Sequence, residues 1–189
     1  MTSMITEARP IRFGANLPAT ADVVVIGGGV AGVATAYYLA RRGQKVVLCE
    51  KGRIAGEQSS RNWGWVRQQG RDPAELPIMM EANRIWRGLV EETGEPDLEF
   101  TQSGCLYLAD RADAMAKYEG WHAVAKQHQL DTELLSAAEV KRRYPNIVGD
   151  WTGGMITPSD GRAEPFVAVP ALARAAVRAG AILREDCAV

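Results

Sequence analysis

The sequence has few of the residues that mark metal sites, disulfide frameworks or membrane spans. It contains two histidines and three cysteines in 189 residues. Cys49, Cys105 and Cys187 are odd in number and too widely spaced for a metal-ligand motif, so no metal site is predicted. Such cysteine usage is typical of reduced thiols in a cytoplasmic protein. No apolar run approaches the roughly 18 residues that span a bilayer, and no transmembrane segment is predicted.

Neither basic nor acidic residues are in excess. Lys and Arg total 22 and Asp and Glu total 23, for a net charge of −1, which gives no general attraction to nucleic acid. Apolar residues make up 47%, enough for a packed core. The first twenty residues hold no signal-peptide core and are predicted to form a flexible leader. His122 and His128 are predicted to face solvent on a polar helix, and no catalytic residue is assigned.

A glycine motif stands at the start of the predicted folded region. Residues 22–52 read DVVVIGGGVAGVATAYYLARRGQKVVLCEKG. Val23–Ile26 is typical of a buried parallel strand. Gly27, Gly29 and Gly32 then form G-x-G-x-x-G, which permits a tight turn, a close approach to a pyrophosphate and close helix–strand packing. The helix that follows is predicted to bury one face and to end near Gly43.

The helix N-terminus and the second strand complete a dinucleotide-binding pattern. The N–H groups at Val30 and Ala31 are expected to bind the pyrophosphate at the positive end of the helix. The second strand, Val46–Leu48, is followed by Glu50, which can accept hydrogen bonds from a ribose diol and would repel a 2′-phosphate. Lys51, beside it, is assigned to the same site. Because strand, helix, strand and acid fall in register, the pattern predicts a Rossmann-type domain with a parallel sheet.

Residues 51–74 show no helical or strand period, and so long a connection is uncommon unless it binds something. It contains EQSSRNWGWVRQ. FAD is longer than NAD, and its flavin end could use this segment. Ser59 and Ser60 could bond phosphate or ribityl oxygens, Gly64 could let backbone approach the flavin edge, and Trp63 and Trp65 could flank the ring. Alternatively, the tryptophans pack into a neighbouring domain.

Residues 22–189 resemble the amino-terminal half of the D-amino acid oxidase-like family of FAD-dependent amine oxidoreductases, which includes glycine oxidase, D-amino acid dehydrogenase and sarcosine oxidase. The resemblance rests on the glycine motif, on GEQSSRNWGWVRQ and on GGMITPSDGRAEPFVAVPALARAAVRAGA. It implies that the chain is truncated and that backbone near Val189 contacts adenine. The flavin contacts that it implies are Ser59, Ser60, Trp63, Gly64 and Trp65.

The remaining pattern predicts an α/β fold in which a Rossmann-type FAD-binding domain carries part of an inserted α+β substrate domain. The predicted organisation is a leader (1–20), a first FAD-binding segment (21–95), a partial substrate domain (96–160) and a return segment (161–189). Strands are predicted over Phe100–Leu108 and Trp151–Thr157, and helices over Leu76–Glu92, Asp110–His128, Ser136–Tyr144 and Phe166–Ala179.

The resemblance implies FAD-dependent oxidation of the C–N bond of a small amine or amino acid, either a D-amino acid or an N-substituted one, with oxygen or a quinone-linked acceptor reoxidising the flavin. Arg67 is the candidate for a substrate carboxylate; its alternative is a salt bridge or a surface position. Two other hypotheses stay open: another FAD- or NAD-dependent dehydrogenase, and a non-catalytic nucleotide-binding subunit or fragment.

Overall fold

The computed structural model describes residues 5–98 and 100–189. In chain order, the helices and strands are β1 (Val23–Ile26), α1 (Val30–Arg41), β2 (Val46–Cys49), β3 (Trp65–Val66), α2 (Leu76–Thr93), β4 (Cys105–Ala109), α3 (Ala112–Gln127), β5 (Glu133–Ser136), α4 (Ala137–Arg143), β6 (Gly153–Thr157), β7 (Gly161–Arg162), α5 (Pro165–Arg178) and β8 (Ile182–Arg184). Short 3₁₀ turns lie at Gln58–Ser60 and Pro96–Leu98. No described helix is long and apolar enough to cross a membrane.

The chain divides into two compact units. The first takes in residues 5–64, 88–98 and 163–189 of the described chain, and the second takes in 65–87 and 100–162. These boundaries differ from those of the predicted domains, chiefly because residues 65–87 belong to the second unit. The assignment of a cofactor role to one part of the chain and a substrate role to the other stays a prediction.

The first unit contains a parallel sheet in the order β1-β2-β8. Val23 pairs with Val46, and Val47 pairs with Ile182. The central strand β2 is buried along its whole length, as its apolar run predicts for a strand with a neighbour on each side. At the edge, β1 alternates between half-buried and exposed residues, so the prediction of a parallel strand is right but the prediction that it is buried is wrong.

Helix α1 confirms the predicted buried face. Its buried residues are Val33, Ala36, Tyr37 and Ala40, spaced at the helical period. Gly43, at φ 81°, follows the helix end, and its N–H donates to the carbonyl of Ala40 at 2.9 Å. An α/β fold with a parallel sheet is thus present.

The second unit contains an antiparallel sheet in the order β4-β6-β5 and a two-stranded pair, β3-β7. The predicted strand over residues 100–108 is wrong at its start, because β4 begins only at Cys105. Gly104 adopts φ 71° and donates its N–H to the carbonyl of Asp160 at 2.9 Å, which interrupts the extended backbone. The strand predicted from residue 151 begins at Gly153. The prediction missed β5, a four-residue strand with only one fully buried position.

The amino-terminal segment differs from the flexible leader that the sequence predicts. Ile5 is buried, and Gly14 forms an antiparallel bridge with Arg184, beside the sheet of the first unit. The N–H of Glu185 donates to the carbonyl of Phe13 at 2.8 Å. The reason is tertiary: these contacts join residues more than 150 positions apart, which local composition cannot reveal.

Candidate cofactor and substrate sites

In the glycine turn between β1 and α1, Gly27 and Gly32 each have a structural reason to be glycine. Gly27 adopts φ 102°, a conformation that favours glycine, and its N–H donates to the carbonyl of Cys49 at 2.8 Å. A Cβ on Gly32 would lie 2.0 Å from the carbonyl oxygen of Gly27, so only glycine permits this packing. A Cβ on Gly29 would meet only the hydroxyl of Ser59, at 3.1 Å. The turn is therefore closely packed at Gly32 and largely open at Gly29.

Glu50 is a buried carboxylate that caps this turn. Its Oε2 accepts the N–H of Gly28 at 2.6 Å, and its Oε1 accepts the N–H of Gly52 at 2.7 Å. Each carboxylate oxygen has two lone pairs, so each has capacity left for a hydroxyl. A ribose diol presents two adjacent hydroxyl donors, and the two acceptor oxygens of Glu50 fit it.

A cavity of about 320 Å³ borders Glu50. Arg53 and Arg61 contribute positive charge to its lining, and Glu7, Glu50 and Glu57 contribute negative charge. Lys51 is exposed and does not line the cavity. The open space therefore lies beside the residue that the sequence assigns to the ribose.

The structure brings Ser59 to the N-terminus of α1. Its hydroxyl oxygen accepts the N–H of Val30 at 2.9 Å, across 29 residues of chain. The first N–H groups of a helix have no intrahelical acceptor, so Ser59 satisfies one of them; Ala31, next along, is exposed. Ser60 is buried, and its hydroxyl donates to the carbonyl of Glu57 at 3.4 Å.

Gly64 has a local reason to be glycine besides the predicted approach to a flavin. It adopts φ 70°, and a Cβ there would lie 2.1 Å from the carbonyl oxygen of Ala163. The N–H of Ala163 donates to the carbonyl of Gly64 at 3.0 Å. Trp63, its neighbour, is 80% exposed. Val189, the predicted adenine contact, is also 80% exposed.

Trp65 and Arg67 belong to the second unit, where they form an aromatic–guanidinium cluster with Tyr107. The guanidinium carbon of Arg67 lies 5.2 Å from the Trp65 ring centroid and 5.9 Å from that of Tyr107. The Nη1 of Arg67 donates to the carbonyl of Gln69. None of the ion pairs among residues 5–98 and 100–189 includes Arg67, so the alternative of a salt bridge is not observed in the described chain.

Asp160 fixes the segment that carries Arg67, and sequence reasoning did not single it out. It is fully buried. One carboxylate oxygen accepts the N–H of Gln68 at 2.8 Å, and the other accepts the N–H of Gln69 at 2.9 Å. The side chain of Gln69 in turn accepts the hydroxyl of Thr157 at 2.8 Å. Burial raises the pKa of Asp160, and the hydrogen bonds from Gln69 and Gln68 oppose that rise only in part. Asp160 lies within the stretch GGMITPSDGRAEPFVAVPALARAAVRAGA that carries the family resemblance, but the sequence does not show which residues its carboxylate contacts.

The cysteines and histidines make contacts that the sequence did not reveal. Cys187 reaches the end of β2, where its N–H donates to the carbonyl of Glu50 at 2.9 Å. Burial, together with a hydrogen bond to the Cys187 thiol, raises the pKa of Cys49. His122 and His128, both predicted to face solvent, are half-buried, and the Nε2 of His122 lies 3.1 Å from the carbonyl oxygen of Thr132. In the described ranges, no group of three or more His, Cys, Asp or Glu side chains could hold a metal ion.

Comparisons with known proteins give a consistent result. Residues 22–189 match the family model described as DAO, FAD dependent oxidoreductase. Mitochondrial sarcosine dehydrogenase of Mus musculus is 35% identical over 176 residues, which are 92% of this chain and 19% of that protein. The mitochondrial pyruvate dehydrogenase phosphatase regulatory subunit of the same species is 28% identical over 175 residues, 92% of this chain and 20% of that protein. The structure of an L-amino acid deaminase from Proteus myxofaciens superposes with a TM-score of 0.87 at 30% identity, covering 94% of this chain and 40% of that one.

The chain therefore spans about a fifth of the length of these curated relatives and less than half of the solved structure. The matched region includes the glycine turn, Glu50, the Arg67 segment and Asp160.

Proposed function

This chain belongs to the family of FAD-dependent oxidoreductases, and on that premise we propose that the intact protein oxidises the C–N bond of a small amino acid, with an N-substituted, sarcosine-like amine as the preferred class and a D-amino acid as the second. The observation that carries the cofactor part of the proposal is Glu50: a buried carboxylate with unused acceptor capacity, at the end of β2 and beside a cavity. The substrate class is proposed from the family match and from the similarity to a sarcosine dehydrogenase. FAD is the cofactor of this family, and the residues present fit its nucleotide end.

When bound, FAD supplies a hydride acceptor for the carbon that bears the amine nitrogen. The residues of this chain bind and orient. Glu50 would hold the ribose hydroxyls, and the open backbone at Gly29 with the α1 N-terminus would hold the pyrophosphate. The Ser59 hydroxyl, which accepts the Val30 N–H, would share that site. We assign Ala31, Gly27, Gly32, Lys51, Ser60, Trp63, Gly64, Trp65 and Val189 to the same cofactor site as a proposal, on the resemblance.

Arg67 is the proposed partner of the substrate carboxylate. A guanidinium has five N–H donors, and the carbonyl of Gln69 takes one through Nη1. Stacking between Trp65 and Tyr107 restricts the orientation of the group, which reduces the entropy lost when a carboxylate binds. Such a carboxylate would form a bidentate, charge-assisted pair with the Arg67 guanidinium. This assignment favours amino acids over simple amines.

A non-catalytic role is the second candidate, because one relative is by name a regulatory subunit. Anaerobic mixing of the purified, FAD-loaded intact protein with sarcosine, dimethylglycine or D-alanine separates the two roles. We expect rapid loss of the oxidised-flavin absorbance with at least one N-substituted substrate. FAD-loaded protein that no amino acid reduces, although dithionite does, would favour the regulatory role.

The electron acceptor and the compartment are also proposals. We propose that either oxygen or a quinone-linked carrier reoxidises the protein; reoxidation in air-saturated buffer, compared with that by a quinone analogue, distinguishes the two. We propose a cytoplasmic location on the cysteine pattern, with all three cysteines free. The mitochondrial relative is from a different compartment, and cell fractionation tests the proposal.

A further inference from the structure

The cavity beside Glu50 has a wall that lies outside the region matched by the family model. Thr6, Glu7 and Ala8 line it together with Glu50, Arg53 and Arg61. The family match begins at residue 22. Three of the lining residues therefore come from a segment that the family relationship does not account for.

Specific bonds fix this segment against the loop that follows β2. The Nε of Arg53 donates to the carbonyl of Arg9 at 2.7 Å, and its Nη2 donates to the carbonyl of Glu7 at 3.1 Å. Ile5 is only 4% exposed, so apolar burial adds to these bonds. The segment is thus attached on both sides of Thr6, Glu7 and Ala8.

One buried carboxylate connects the same segment to the loop that contacts the glycine turn. Glu185 is 2% exposed. Its Oε2 accepts the N–H of Arg12 at 2.7 Å and of Phe13 at 3.3 Å, while its Oε1 accepts the N–H of Ile54 at 2.7 Å. Ala55, next to Ile54, donates its N–H to the carbonyl of Gly28 at 2.9 Å. Hydrogen bonds to a charged acceptor are the strong ones, so Glu185 firmly joins the segment to residues 54–55, which contact the glycine turn.

We propose that residues 5–14, held by Glu185 and Arg53, form one wall of the site for the adenosine half of FAD and contribute to its affinity. The inference rests on the proposed function, since it needs a dinucleotide in this cavity. Glu50 occupies the same cavity as the wall, which assigns the wall to the adenosine end of the ligand and not to the flavin end. Glu185 acts through the backbone that it holds and is a positioning residue.

The test measures binding of FAD and of ADP to the apoprotein by titration calorimetry. In the intact protein, Ala8→Trp places bulk on an exposed position of the wall and should weaken both ligands about tenfold without changing the unfolding midpoint. Glu185→Gln should weaken both ligands severalfold. Glu119→Gln on α3 is the matched control, because this glutamate is exposed and belongs to the second unit, and it should leave both affinities unchanged.

Removal of residues 1–14 gives the largest expected loss, above tenfold for both ligands. If that variant is unfolded by circular dichroism, the Ala8→Trp result decides alone. Unchanged FAD affinity in a folded Ala8→Trp protein overturns the inference, as does a loss of FAD affinity with ADP affinity unchanged. If the parent protein binds neither ligand, the proposed function itself is wrong. If the parent binds both ligands and the variants bind them equally well, only the proposed wall is wrong.

Discussion

Both units contain a buried carboxylate that accepts backbone N–H groups, yet a ligand can reach the oxygen atoms of only one of them. Glu50 in the first unit accepts two N–H groups and borders a cavity. Asp160 in the second unit is completely inaccessible and accepts the N–H groups of Gln68 and Gln69, with the Gln68 side chain as a further donor. The first can therefore bind a ligand directly. The second can only hold other residues in place, Arg67 among them.

Buried acids at hydrogen-bonded turns therefore have two uses in this protein, and access to open space separates them. Burying a carboxylate is costly unless hydrogen bonds compensate. In the second unit these bonds hold a segment that carries an arginine without an ion pair among the described residues. In the first, they present oxygen atoms to a cavity. The predictions below test this contrast.

The largest effect is expected at Gly32. A Cβ there would lie 2.0 Å from the Gly27 carbonyl oxygen, whereas a Cβ on Gly120 in α3 would meet nothing within 4 Å. Gly32→Ala should therefore abolish FAD binding or folding. Gly120→Ala should raise the free energy of unfolding by about 0.5–1 kcal/mol, the difference between the two residues in a helix. Thermal denaturation and FAD titration of both variants check this, and equal tolerance of the two substitutions would contradict the packing described for the turn.

The contrast between the two acids predicts separate effects on FAD affinity. Glu50→Ala removes a charge-assisted bond worth about 1.5–3 kcal/mol, so the Kd for FAD should rise at least tenfold. Asp160→Asn should leave it unchanged, because Asp160 is not accessible to a ligand. Fluorescence titration of apoprotein measures both. Unchanged affinity in Glu50→Ala would show that Glu50 is a structural acid like Asp160 and would contradict the proposed difference between the two residues.

A similar but substrate-specific loss is expected for Arg67→Ala. Removing the proposed carboxylate partner should lower kcat/KM about tenfold or more for an amino acid. The corresponding amino acid amide, which has no carboxylate, should react equally well with parent and variant. Arg84→Ala on α2 is the control, since that side chain is 71% exposed. If the amino acid and its amide lose rate equally, Arg67 does not recognise the carboxylate.

Much of the first unit could be predicted from sequence, because its site is nearly contiguous. Strands β1 and β2, the buried face of α1 and the acid after β2 all lie within residues 22–52, where local period and spacing are informative. Gly64 was recognised as special, although the clash with the Ala163 carbonyl could not be foreseen. Predictions for the individual cofactor contacts stay predictions.

The supporting residues could not be predicted in the same way. Asp160 contacts Gln68 across 92 positions, and Glu185 contacts Phe13 across 172. No periodicity records such partners. β5 was missed because its four residues are too short for an alternating pattern to be distinctive, and the amino-terminal segment because its composition is that of a loop.

The smallest effect concerns the pH dependence of stability. Burial raises the pKa of Asp160 above its unfolded value, so the folded protein holds this proton to higher pH than the unfolded chain does. Its contribution to stability is therefore fully present below the unfolded pKa of about 3.9 and is lost as pH rises through the folded pKa. The contribution of Glu95 to stability has the opposite pH dependence. Although burial raises its pKa, hydrogen bonds from Arg174 and Arg178 outweigh that effect and lower it.

Urea denaturation of the parent and of Asp160→Asn over the acidic range isolates the Asp160 contribution. The difference in unfolding free energy, parent minus variant, should fall as pH rises from the unfolded pKa. A flat or rising difference would show that Asp160 is ionised in the fold at a normal or lowered pKa.

Identification of the bound cofactor tests the central claim most directly, namely that the first unit holds FAD through Glu50 and the glycine turn. The intact protein should purify with a flavin absorbance spectrum, and heat denaturation should release a flavin that chromatography and mass identify as FAD. The Glu50→Ala protein, purified in parallel, should carry less of it. Colourless protein that does not take up added FAD, yet binds NAD, would contradict the account.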